Sequence, residues 1–353
     1  MNEKKEVAPL VSFILVAYNQ EKFVEDAVRA ALGQKYSPLE IIISDDASKD
    51  RTFEVAKAVV DTYDGPHRVI LRRNERNMGI NPHFNLAVNT AQGEFIVVAA
   101  GDDVSLPERT QKLVDAWRAG ASAVFSNAEL IDVQGKSKGL LVQPGFKNLR
   151  DWRGMVIHGT HASWGCALSW EKRAFDIFGD MPENILGEDA VVPFRCSLIN
   201  GVTYIDEALV QYRDRGENVS FWAREKGLGH AEMIELGAHI MQFKERMYSN
   251  WDKDLEIAHA HGLINVAELQ WGRNLLDENT LIARKMEDLM RSNFLAAVVL
   301  VPVWAIYLSA RMSRLVEPLI AIKQTVWKLL NGVLHYRMPR LHRIIRRLLG
   351  RNI

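Results

Sequence analysis

The chain has few cysteines for its length: Cys166 and Cys196 are the two among 353 residues. Two cysteines cannot build a disulfide framework, and they cannot supply the ligand set of a cysteine-based metal site. We interpret both as buried thiols of a protein from a reducing compartment. The 48% hydrophobic and 25% charged residues argue against a disordered chain, and the length predicts two domains or one large α/β domain with an appendage.

The sequence also lacks the glycine-rich motifs of two large nucleotide-binding classes. No glycine stands between Tyr18 and Leu32, so a G-x-G-x-x-G turn does not follow the first predicted strand. Gly135-Lys136-Ser137 has Leu130 where a phosphate-binding P-loop needs its first glycine. These absences argue against a dehydrogenase and against an NTPase.

The chain lacks net charge, but its charges are unevenly distributed. It has 44 basic and 44 acidic residues in total. From Arg291 onward, eleven residues are Lys or Arg and one, Glu317, is acidic, so this tail carries +10 and the preceding part −10. A basic tail on an acidic body favours contact with a polyanionic surface.

Apolar runs alternate with amphipathic stretches through the first half of the chain. The apolar runs predict buried strands at residues 11–17, 41–43, 69–71, 95–99 and 121–126. The stretches between them predict helices at residues 21–32, 52–60, 82–91 and 107–119. This alternation predicts an α/β fold with a mostly parallel, Rossmann-like sheet that helices cover on both faces.

The second half of the chain is less regular. Its pattern predicts a hairpin over 130–142, strands at 164–170, 202–205 and 208–212, and a helix at 190–198. From about residue 223 to residue 290 the pattern is helical. We therefore divide the chain into a sheet-containing domain over 1–222, a helical region over 223–290, and an extension of apolar and basic amphipathic helices over 291–353.

Two pairs of acidic residues directly follow predicted strands: Asp45-Asp46 and Asp102-Asp103. Because parallel sheets bind ligands at the carboxyl ends of their strands, we expect both pairs to face one crevice. Adjacent carboxylates need a cation or hydrogen-bond donors, and oxygen ligands select Mg²⁺ or Mn²⁺, which are often shared with substrate phosphates. The alternative is structural: residues 46–48 cap the next helix, and Asp103 begins a turn.

A third acidic pair, Glu188-Asp189, opens a predicted helical stretch. Carboxylates are common at the start of a helix, because the free amide groups there attract negative charge. Taken alone, this pair favours a structural role.

In chain order, the three acidic pairs belong to a longer series of motifs. The series consists of Val11 to Asn19, Ala30-Ala31-Leu32-Gly33-Gln34, Asp45-Asp46-Ala47-Ser48-Lys49-Asp50, Asn77-Met78-Gly79, Asn85, Ala91-Gln92-Gly93-Glu94-Phe95, Gly101-Asp102-Asp103 with Pro107, Gly187-Glu188-Asp189, and Tyr212-Arg213 through Asn218-Val219-Ser220. This order resembles the family 2 glycosyltransferases with a GT-A fold, which move sugars from nucleotide donors. The resemblance extends from about Val11 to Phe221.

The resemblance implies that residues 1–222 are a catalytic domain, and it implies roles for individual residues. Those implied to bind the nucleoside-diphosphate sugar, with UDP favoured, are Ala17, Tyr18, Asp45, Asp46, Arg73, Asp102 and Arg215. Asp102 and Asp103 would hold Mg²⁺ or Mn²⁺, which stabilises the leaving phosphate. Asp189 would be the catalytic base, with Glu188 and Trp164 on the acceptor side. One base and direct displacement predict inversion of the anomeric configuration.

Three residues depart from the family pattern, and one of them is Val16, which stands where a small polar residue is common. Ala100 stands where the first aspartate of the usual D-x-D-D motif falls, and Arg215 stands where histidine is often found. An arginine can bind a diphosphate directly. These departures keep open a non-catalytic membrane-assembly scaffold with a degenerate domain. A sugar nucleotidyltransferase is a further alternative, but the glycine-rich basic loop typical of that class is not visible early in the chain.

The tail predicts contact with a membrane. Residues 294–308 are fifteen apolar residues that include Pro302, a length that favours shallow or re-entrant insertion over a full crossing. Further on, five apolar residues share one helical face opposite three arginines, a pattern typical of a basic helix in a lipid headgroup layer. These residues are Leu341, Ile344, Ile345, Leu348 and Leu349, with Arg343, Arg346 and Arg347 opposite them.

The positive flanks place the catalytic domain on the cytoplasmic face of the membrane. The partners we expect are a nucleoside-diphosphate sugar, a lipid-linked saccharide acceptor of a surface-polysaccharide pathway, and an anionic membrane surface. We expect no nucleic acid partner. The alternative for the tail is a helical oligomerisation arm, or a segment packed against the catalytic domain.

Overall fold

The computed structural model describes residues 7–142, 149–160, 165–185, 187–215 and 230–292. The strands are β1 Val11–Ala17, β2 Leu39–Asp45, β3 Arg68–Arg73, β4 Phe95–Ala100, β5 Val104–Ser105, β6 Ala123–Ile131, β7 Ser137–Leu141, β8 Leu168–Glu171 and β9 Val202–Arg213. The helices are α1 Val24–Leu32, α2 Thr52–Val60, α3 Ile80–Thr90, α4 Arg109–Arg118, α5 Trp152–His158, α6 Arg173–Phe178, α7 Val192–Ile199, α8 His230–Ala260 and α9 Val266–Ser292. Gly165–Ala167 and Glu188–Ala190 are single 3₁₀ turns.

One mixed sheet runs in the order β3-β2-β1-β4-β8-β6-β9-β5, and β7 pairs with β6. β1 is parallel to β2 and β4, β2 to β3, and β6 to β9, whereas β8 is antiparallel to both of its neighbours. The chain adds β2 and β3 on one side of β1 and places β4 on the other side. This reversal leaves a crevice at the carboxyl ends of β1 and β4, the position where open α/β sheets bind ligands.

The register aligns the ends of the parallel strands. Ala17 lies opposite Asp45, and Val16 lies opposite Ala100. Asp45 in turn lies opposite Arg73. The segments that follow β1, β2, β3 and β4 therefore leave the sheet at the same edge.

The core lies where the parallel strands meet the helices. β1, β2 and β4 are buried along almost their whole length, which explains why the sequence shows them as continuous apolar runs. α1 buries Val24, Ala27, Val28 and Ala31, whose spacing of three and four residues forms one apolar stripe.

The last two described helices pack onto the sheet-containing part. α8 contacts α6, α7 and α9, and α9 contacts α5. Arg195 of α7 and Asp254 of α8 form a buried ion pair, with Nε 3.1 Å from Oδ1. The described residues lie within one compact unit, Met1–Val299.

The predicted α/β fold class, with a mostly parallel sheet flanked by helices, is confirmed. Two local predictions are wrong. The strands predicted at 202–205 and 208–212 are the single strand β9, because two register shifts around Asn127 accommodate the intervening polar residues. The strand predicted at 164–170 begins at Leu168, since residues 165–167 form a 3₁₀ turn.

The predicted membrane-contacting residues, 294–308 and 341–349, lie outside the described residues. Among the helices of the described ranges, none combines the length and the apolar character that crossing a bilayer requires.

Candidate active site

Asp46, directly after β2, is held by the loop that precedes α3. Its carboxylate accepts hydrogen bonds from Asn74 Nδ2 (2.6 Å) and from the backbone N–H groups of Met78 (2.9 Å) and Gly79 (3.0 Å). These three donors compensate for the desolvation of a carboxylate that is 3% exposed. Asp46 therefore fixes the position of residues 74–79 at the edge of the crevice.

Asp45 has a separate set of partners. Ser48 donates to its carboxylate from the backbone N–H (3.0 Å) and from Oγ, and Arg73 Nε lies 3.2 Å from Oδ2. Arg73 also donates to the Ser48 carbonyl at 2.6 Å, and its guanidinium lies 5.3 Å from the centre of the Phe53 ring. The resemblance implies that Arg73 binds the donor nucleotide. In the structure its side chain holds the turn 45–48 in place.

Two non-glycine residues with positive φ lie just beyond the ends of β1 and β2: Asn19 (φ 53°) and Ala47 (φ 57°). They belong to one connected structure, since Asn19 N–H donates to Ser48 Oγ at 2.9 Å and Asn19 Oδ1 accepts from Lys49 N–H at 2.8 Å. Left-handed backbone is costly for alanine, and such residues cluster at ligand-binding sites. Sequence reasoning assigned no role to either residue.

Ala17 and Tyr18 form the β1 side of the crevice. The Ala17 carbonyl accepts from Asp46 N–H at 2.9 Å, which joins the end of β1 to the turn after β2. Tyr18 is 39% exposed, so its ring is available to a ligand. Gln20 Oε1 accepts from Tyr18 N–H at 3.3 Å, and the Gln20 side chain also bonds Asp102. Sequence reasoning missed Gln20, because nothing in the local pattern separates it from other polar loop residues.

Gly101 allows β4 to approach β1 closely at the crevice. A Cβ at this position would lie 2.8 Å from Ala17 Cβ and 2.5 Å from Gln20 Oε1, which no larger residue tolerates. This close approach places Asp102 beside the residues that end β1.

Asp102 and Asp103 have different surroundings. Asp102, 8% exposed, has its Oδ2 2.8 Å from Arg215 Nε. Asp103, 3% exposed, accepts from the Arg213 backbone N–H at 2.9 Å and is thereby oriented toward β9. Burial raises the pKa of both carboxyls, and the charge of Asp102 raises the pKa of Asp103 further, to well above its usual range.

Arg213 joins this acidic pair to the first helix. Its Nε donates to the Asp102 carbonyl at 3.0 Å, and its guanidinium lies 5.0 Å from the centre of the Phe23 ring. Its terminal nitrogen is 3.4 Å from Asp26 on α1. The sequence motif included Arg213, but gave it no role, because its partners come from distant parts of the chain.

Glu188 and Asp189 lie in the 3₁₀ turn that precedes α7. A Cβ on Gly165 would collide with the Glu188 carboxyl, so a larger residue there would displace this side chain. Burial raises the pKa of Glu188 to about 8, helped by the charge of Asp189, and raises the pKa of Asp189 to about 7. Hydrogen bonds from backbone N–H groups to the Asp189 carboxylate partly oppose this rise in its pKa. A carboxyl with a pKa near 7 suits a general base at neutral pH.

Cys166 lies between the second and third acidic pairs. Burial raises the pKa of its thiol well above the usual range, and the charges of Asp103, Glu188 and Asp102 all act on it. The neighbouring Gly165 lies against the Glu188 carboxyl group, which a Cβ at residue 165 would meet. Two acidic pairs separated by more than 80 residues in sequence therefore lie around one turn. Cys166 and Cys196 are both free thiols; Cys196 is buried, as predicted, whereas Cys166 is partly exposed.

Helix α3 joins the first acidic pair to the third. It begins directly after Gly79, whose N–H bonds Asp46. Asn81 Nδ2 donates to the carbonyl of Ile185 (2.8 Å), and Asn85 exchanges two hydrogen bonds with the backbone of Met181 (2.8 and 2.9 Å). The segment that leads into Glu188-Asp189 is thus attached to the helix that follows the Asp46 loop.

Trp164, assigned to the acceptor, lies outside the described residues, as do residues 216–229 with the end of the closing motif. Their roles stay predictions.

The donor set fits a divalent cation that is shared with a ligand. Within the described ranges, no group of three His, Cys, Asp or Glu side chains could hold an ion by itself. Asp102 has a carboxylate at the crevice, whereas Asp103 is committed to β9. Mg²⁺ commonly uses one or two carboxylates and takes its remaining ligands from phosphates and water. The residues therefore fit an ion bound jointly by Asp102 and a diphosphate.

Comparison with known proteins gives a family model that matches part of the chain. Residues 12–171 match the family model described as "Glycosyl transferase family 2". The succinoglycan biosynthesis protein ExoO of Rhizobium meliloti is 31% identical over 130 residues, which cover 36% of each chain. The putative glycosyltransferase EpsE of Bacillus subtilis is 35% identical over 106 residues, which cover 30% of this chain and 37% of EpsE. The chain thus spans about a third of the length of each of these curated relatives.

Solved structures also show similarity over most of the chain. S. aureus TarS 1–349 in complex with UDP-GlcNAc is 18% identical, with a TM-score of 0.49 over 80% of this chain and 91% of that one. The mannosyltransferase PcManGT from Pyrobaculum calidifontis, in complex with GDP-Man and Mn²⁺, is 17% identical, with a TM-score of 0.48 over 96% of this chain and 92% of that one.

Proposed function

We propose, from the match of residues 12–171 to the glycosyl transferase family 2 model, that the chain transfers a sugar from a nucleoside-diphosphate donor to an acceptor hydroxyl. The observation that supports this proposal is the arrangement of the acidic pairs. Asp45-Asp46 and Asp102-Asp103 lie at the ends of β2 and β4, the strands on either side of β1, and Glu188-Asp189 is linked to the same region by Cys166 and by the contacts of α3.

The donor occupies the crevice where the strand order reverses. Tyr18, the 45–47 turn and the segment 74–79 contact the nucleoside, since the hydrogen bonds of Asp46 and the strained turn preorganise that wall. Asp102 and Arg215 face the diphosphate. Arginine suits phosphate because its fork of N–H groups can donate two parallel hydrogen bonds.

A divalent cation, Mg²⁺ or Mn²⁺, held by Asp102 and the diphosphate would supply positive charge to the leaving phosphate. Asp103 would support this cation site indirectly. Its carboxylate accepts from the Arg213 backbone N–H and so keeps Arg213 beside Asp102. Arg215 adds a second positive charge at the same place.

Asp189 acts as the general base on the acceptor side. The acceptor oxygen forms a bond to the anomeric carbon as the bond from that carbon to the phosphate oxygen breaks, and the hydroxyl proton passes to the Asp189 carboxylate. The nucleoside diphosphate leaves with the electron pair. Glu188, whose pKa is about 8, is protonated at neutral pH and can donate a hydrogen bond to the acceptor. One displacement inverts the anomeric configuration.

A donor screen tests this function. The full chain is incubated with UDP-sugars first, then with GDP-sugars, in Mn²⁺ or Mg²⁺, and free nucleotide is followed by mass spectrometry. We expect release of nucleoside diphosphate, and a loss of about 10²- to 10⁴-fold in Asp189→Asn with donor affinity retained. A scaffold would release no nucleotide, and a nucleotidyltransferase would instead join a nucleoside triphosphate to a sugar phosphate. Product NMR showing retained configuration would contradict the single displacement.

We propose that the acceptor is a lipid-linked saccharide at the cytoplasmic face of a membrane. The transfer would be a step in the assembly of a surface polysaccharide. Two observations support it: a relative is named for succinoglycan biosynthesis, and the sequence from Arg291 onward carries a charge of +10 beside apolar residues. A tail at the lipid surface would bring Asp189 to a membrane-bound hydroxyl group.

A further inference from the structure

Asp102 has a cationic partner within the protein itself. Arg215 Nε lies 2.8 Å from Asp102 Oδ2, and the Gln20 side chain also bonds this carboxyl group. A divalent cation that reaches Asp102 therefore meets a positive charge at the oxygen it would use. Like charges at this separation repel strongly where water is largely excluded.

Arg215 differs from two other arginines of this cluster in its exposure. The Arg213 side chain is 4% exposed and Arg109 is fully buried, whereas the Arg215 side chain is 27% exposed. The Arg215 guanidinium is thus the one of these three that a diphosphate entering the crevice can reach from solvent.

From this geometry we infer that Arg215 couples the binding of the cation to the binding of the nucleotide. Without nucleotide, Arg215 holds the Asp102 carboxylate and opposes cation binding. When the diphosphate arrives, Arg215 pairs with a phosphate oxygen, and Asp102 becomes available to the cation, whose other ligands come from the same diphosphate. The inference rests on the proposed function, because it assumes that a nucleoside diphosphate binds at Asp102.

Mn²⁺ binding to the full chain tests the inference without turnover. Free Mn²⁺ is measured by electron paramagnetic resonance during titration, first without nucleotide and then with saturating UDP, or with GDP if UDP does not bind. In the wild-type protein we expect weak Mn²⁺ binding alone and binding at least about tenfold tighter with nucleotide, a coupling of about 1.4 kcal/mol.

Two variants separate the charge of Arg215 from its shape. Arg215→Gln removes the positive charge, so Mn²⁺ should bind the nucleotide-free protein about tenfold more tightly than it binds the wild type, and UDP should bind more weakly. Arg215→Lys keeps a point charge, so Mn²⁺ should still bind weakly without nucleotide, while loss of the planar fork lowers UDP affinity. Arg284→Gln, which removes a comparable exposed ion pair with Glu245 on α8, is the control and should leave both affinities unchanged.

The outcomes distinguish the inference from the function on which it rests. If the nucleotide binds and Arg215→Gln leaves the nucleotide-free Mn²⁺ affinity at the wild-type value, the coupling is wrong and the proposed function stands. If neither UDP nor GDP binds the wild-type protein, the proposed donor site is wrong. If Arg215→Gln unfolds, as judged by circular dichroism, Arg215→Lys decides: tight Mn²⁺ binding in that variant without nucleotide overturns the inference, and weak binding supports it.

Discussion

At the scale of single residues, the chemistry depends on which carboxyl group carries a charge at neutral pH. Glu188 and Asp189 are neighbours, and burial raises the pKa of both, to about 8 and about 7. Asp189 therefore ionises first as the pH rises, and Glu188 remains protonated beside it. Adjacent groups with separated pKa values commonly divide the roles of base and hydrogen-bond donor.

The pH dependence of transfer follows from this order. We expect kcat/KM to fall about tenfold per pH unit below about 7, because the Asp189 base becomes protonated there. This fall is the acidic limb of the pH profile of kcat/KM. Glu188→Gln should leave the limb at the same pH, since glutamine resembles the protonated glutamic acid. The limb should be missing from the residual activity of Asp189→Asn. An acidic limb that moves with Glu188→Gln and persists in Asp189→Asn would reverse the assignment.

Some residues of the site could be predicted from sequence, and others could not. The acidic pairs were recognisable because each directly follows an apolar strand or stands in a motif of fixed order. Asn19 and Ala47 had no assigned role, because the turn in which both adopt positive φ is held by hydrogen bonds of Asn19 to residues 29 and 30 positions away. Gln20 and Arg213 were missed for the same reason, since their partners come from other strands and helices.

At the scale of helices and strands, α8 supports the turn that carries the proposed base. Trp251, fully buried, donates from Nε1 to the Ala190 carbonyl at 3.0 Å, and its ring stacks on Phe194 with centroids 4.4 Å apart. One turn earlier, Tyr248 Oη donates to the Gly159 carbonyl at 3.0 Å. Helix α8 is thus attached to the Glu188–Ala190 turn and to Gly159 by specific contacts.

Trp251→Phe tests this support. Phenylalanine keeps an aromatic ring against Phe194 but leaves the buried Ala190 carbonyl without its donor, at a cost of about 1–3 kcal/mol. We expect kcat to fall about tenfold with little change in the KM for the donor, because the base shifts while the donor site does not. Trp271→Phe, at a tryptophan that is 40% exposed on α9, is the matched control. Equal kinetics in the two variants would show that α8 has no positioning role.

The irregular strands show where sequence patterns fail at this scale. The parallel strands were predictable, because burial on both faces leaves a continuous apolar run. β9 was divided in two, since Asp206 and Glu207 interrupt its apolar pattern, whereas register shifts opposite β6 keep the strand continuous. β5 has two residues, too few to produce a periodic signal.

At the scale of the whole molecule, the fold class followed from the alternation of strands and helices, and the order of motifs agrees with the match of residues 12–171 to the glycosyl transferase family 2 model. The division of the chain at residues 222 and 290 stays a prediction. The charge asymmetry extends beyond the described residues, so the role of the tail rests on its sequence.

Vesicle flotation tests the tail in the full-length protein. The wild-type chain should float with vesicles that contain anionic lipid, and should float less as the salt concentration rises, because basic residues near the surface contribute about 1 kcal/mol each. Replacing Arg343, Arg346 and Arg347 with glutamine should reduce flotation without reducing the release of nucleotide from the donor when a soluble acceptor is supplied. Unchanged flotation of the triple variant would contradict electrostatic binding through this segment, and an altered oligomeric state would favour the oligomerisation arm.

The most direct measurement of the central proposal is a crystal structure of the full-length Asp189→Asn variant with the intact donor sugar nucleotide that the screen identifies. We expect the diphosphate beside Asp102 and Arg215, the nucleoside between Tyr18 and the 45–47 turn, and the anomeric carbon exposed toward residue 189 with space for one acceptor hydroxyl group. A donor bound elsewhere, or a sugar whose anomeric carbon is separated from residue 189 by packed protein, would contradict the proposal that the three acidic pairs serve one transfer reaction.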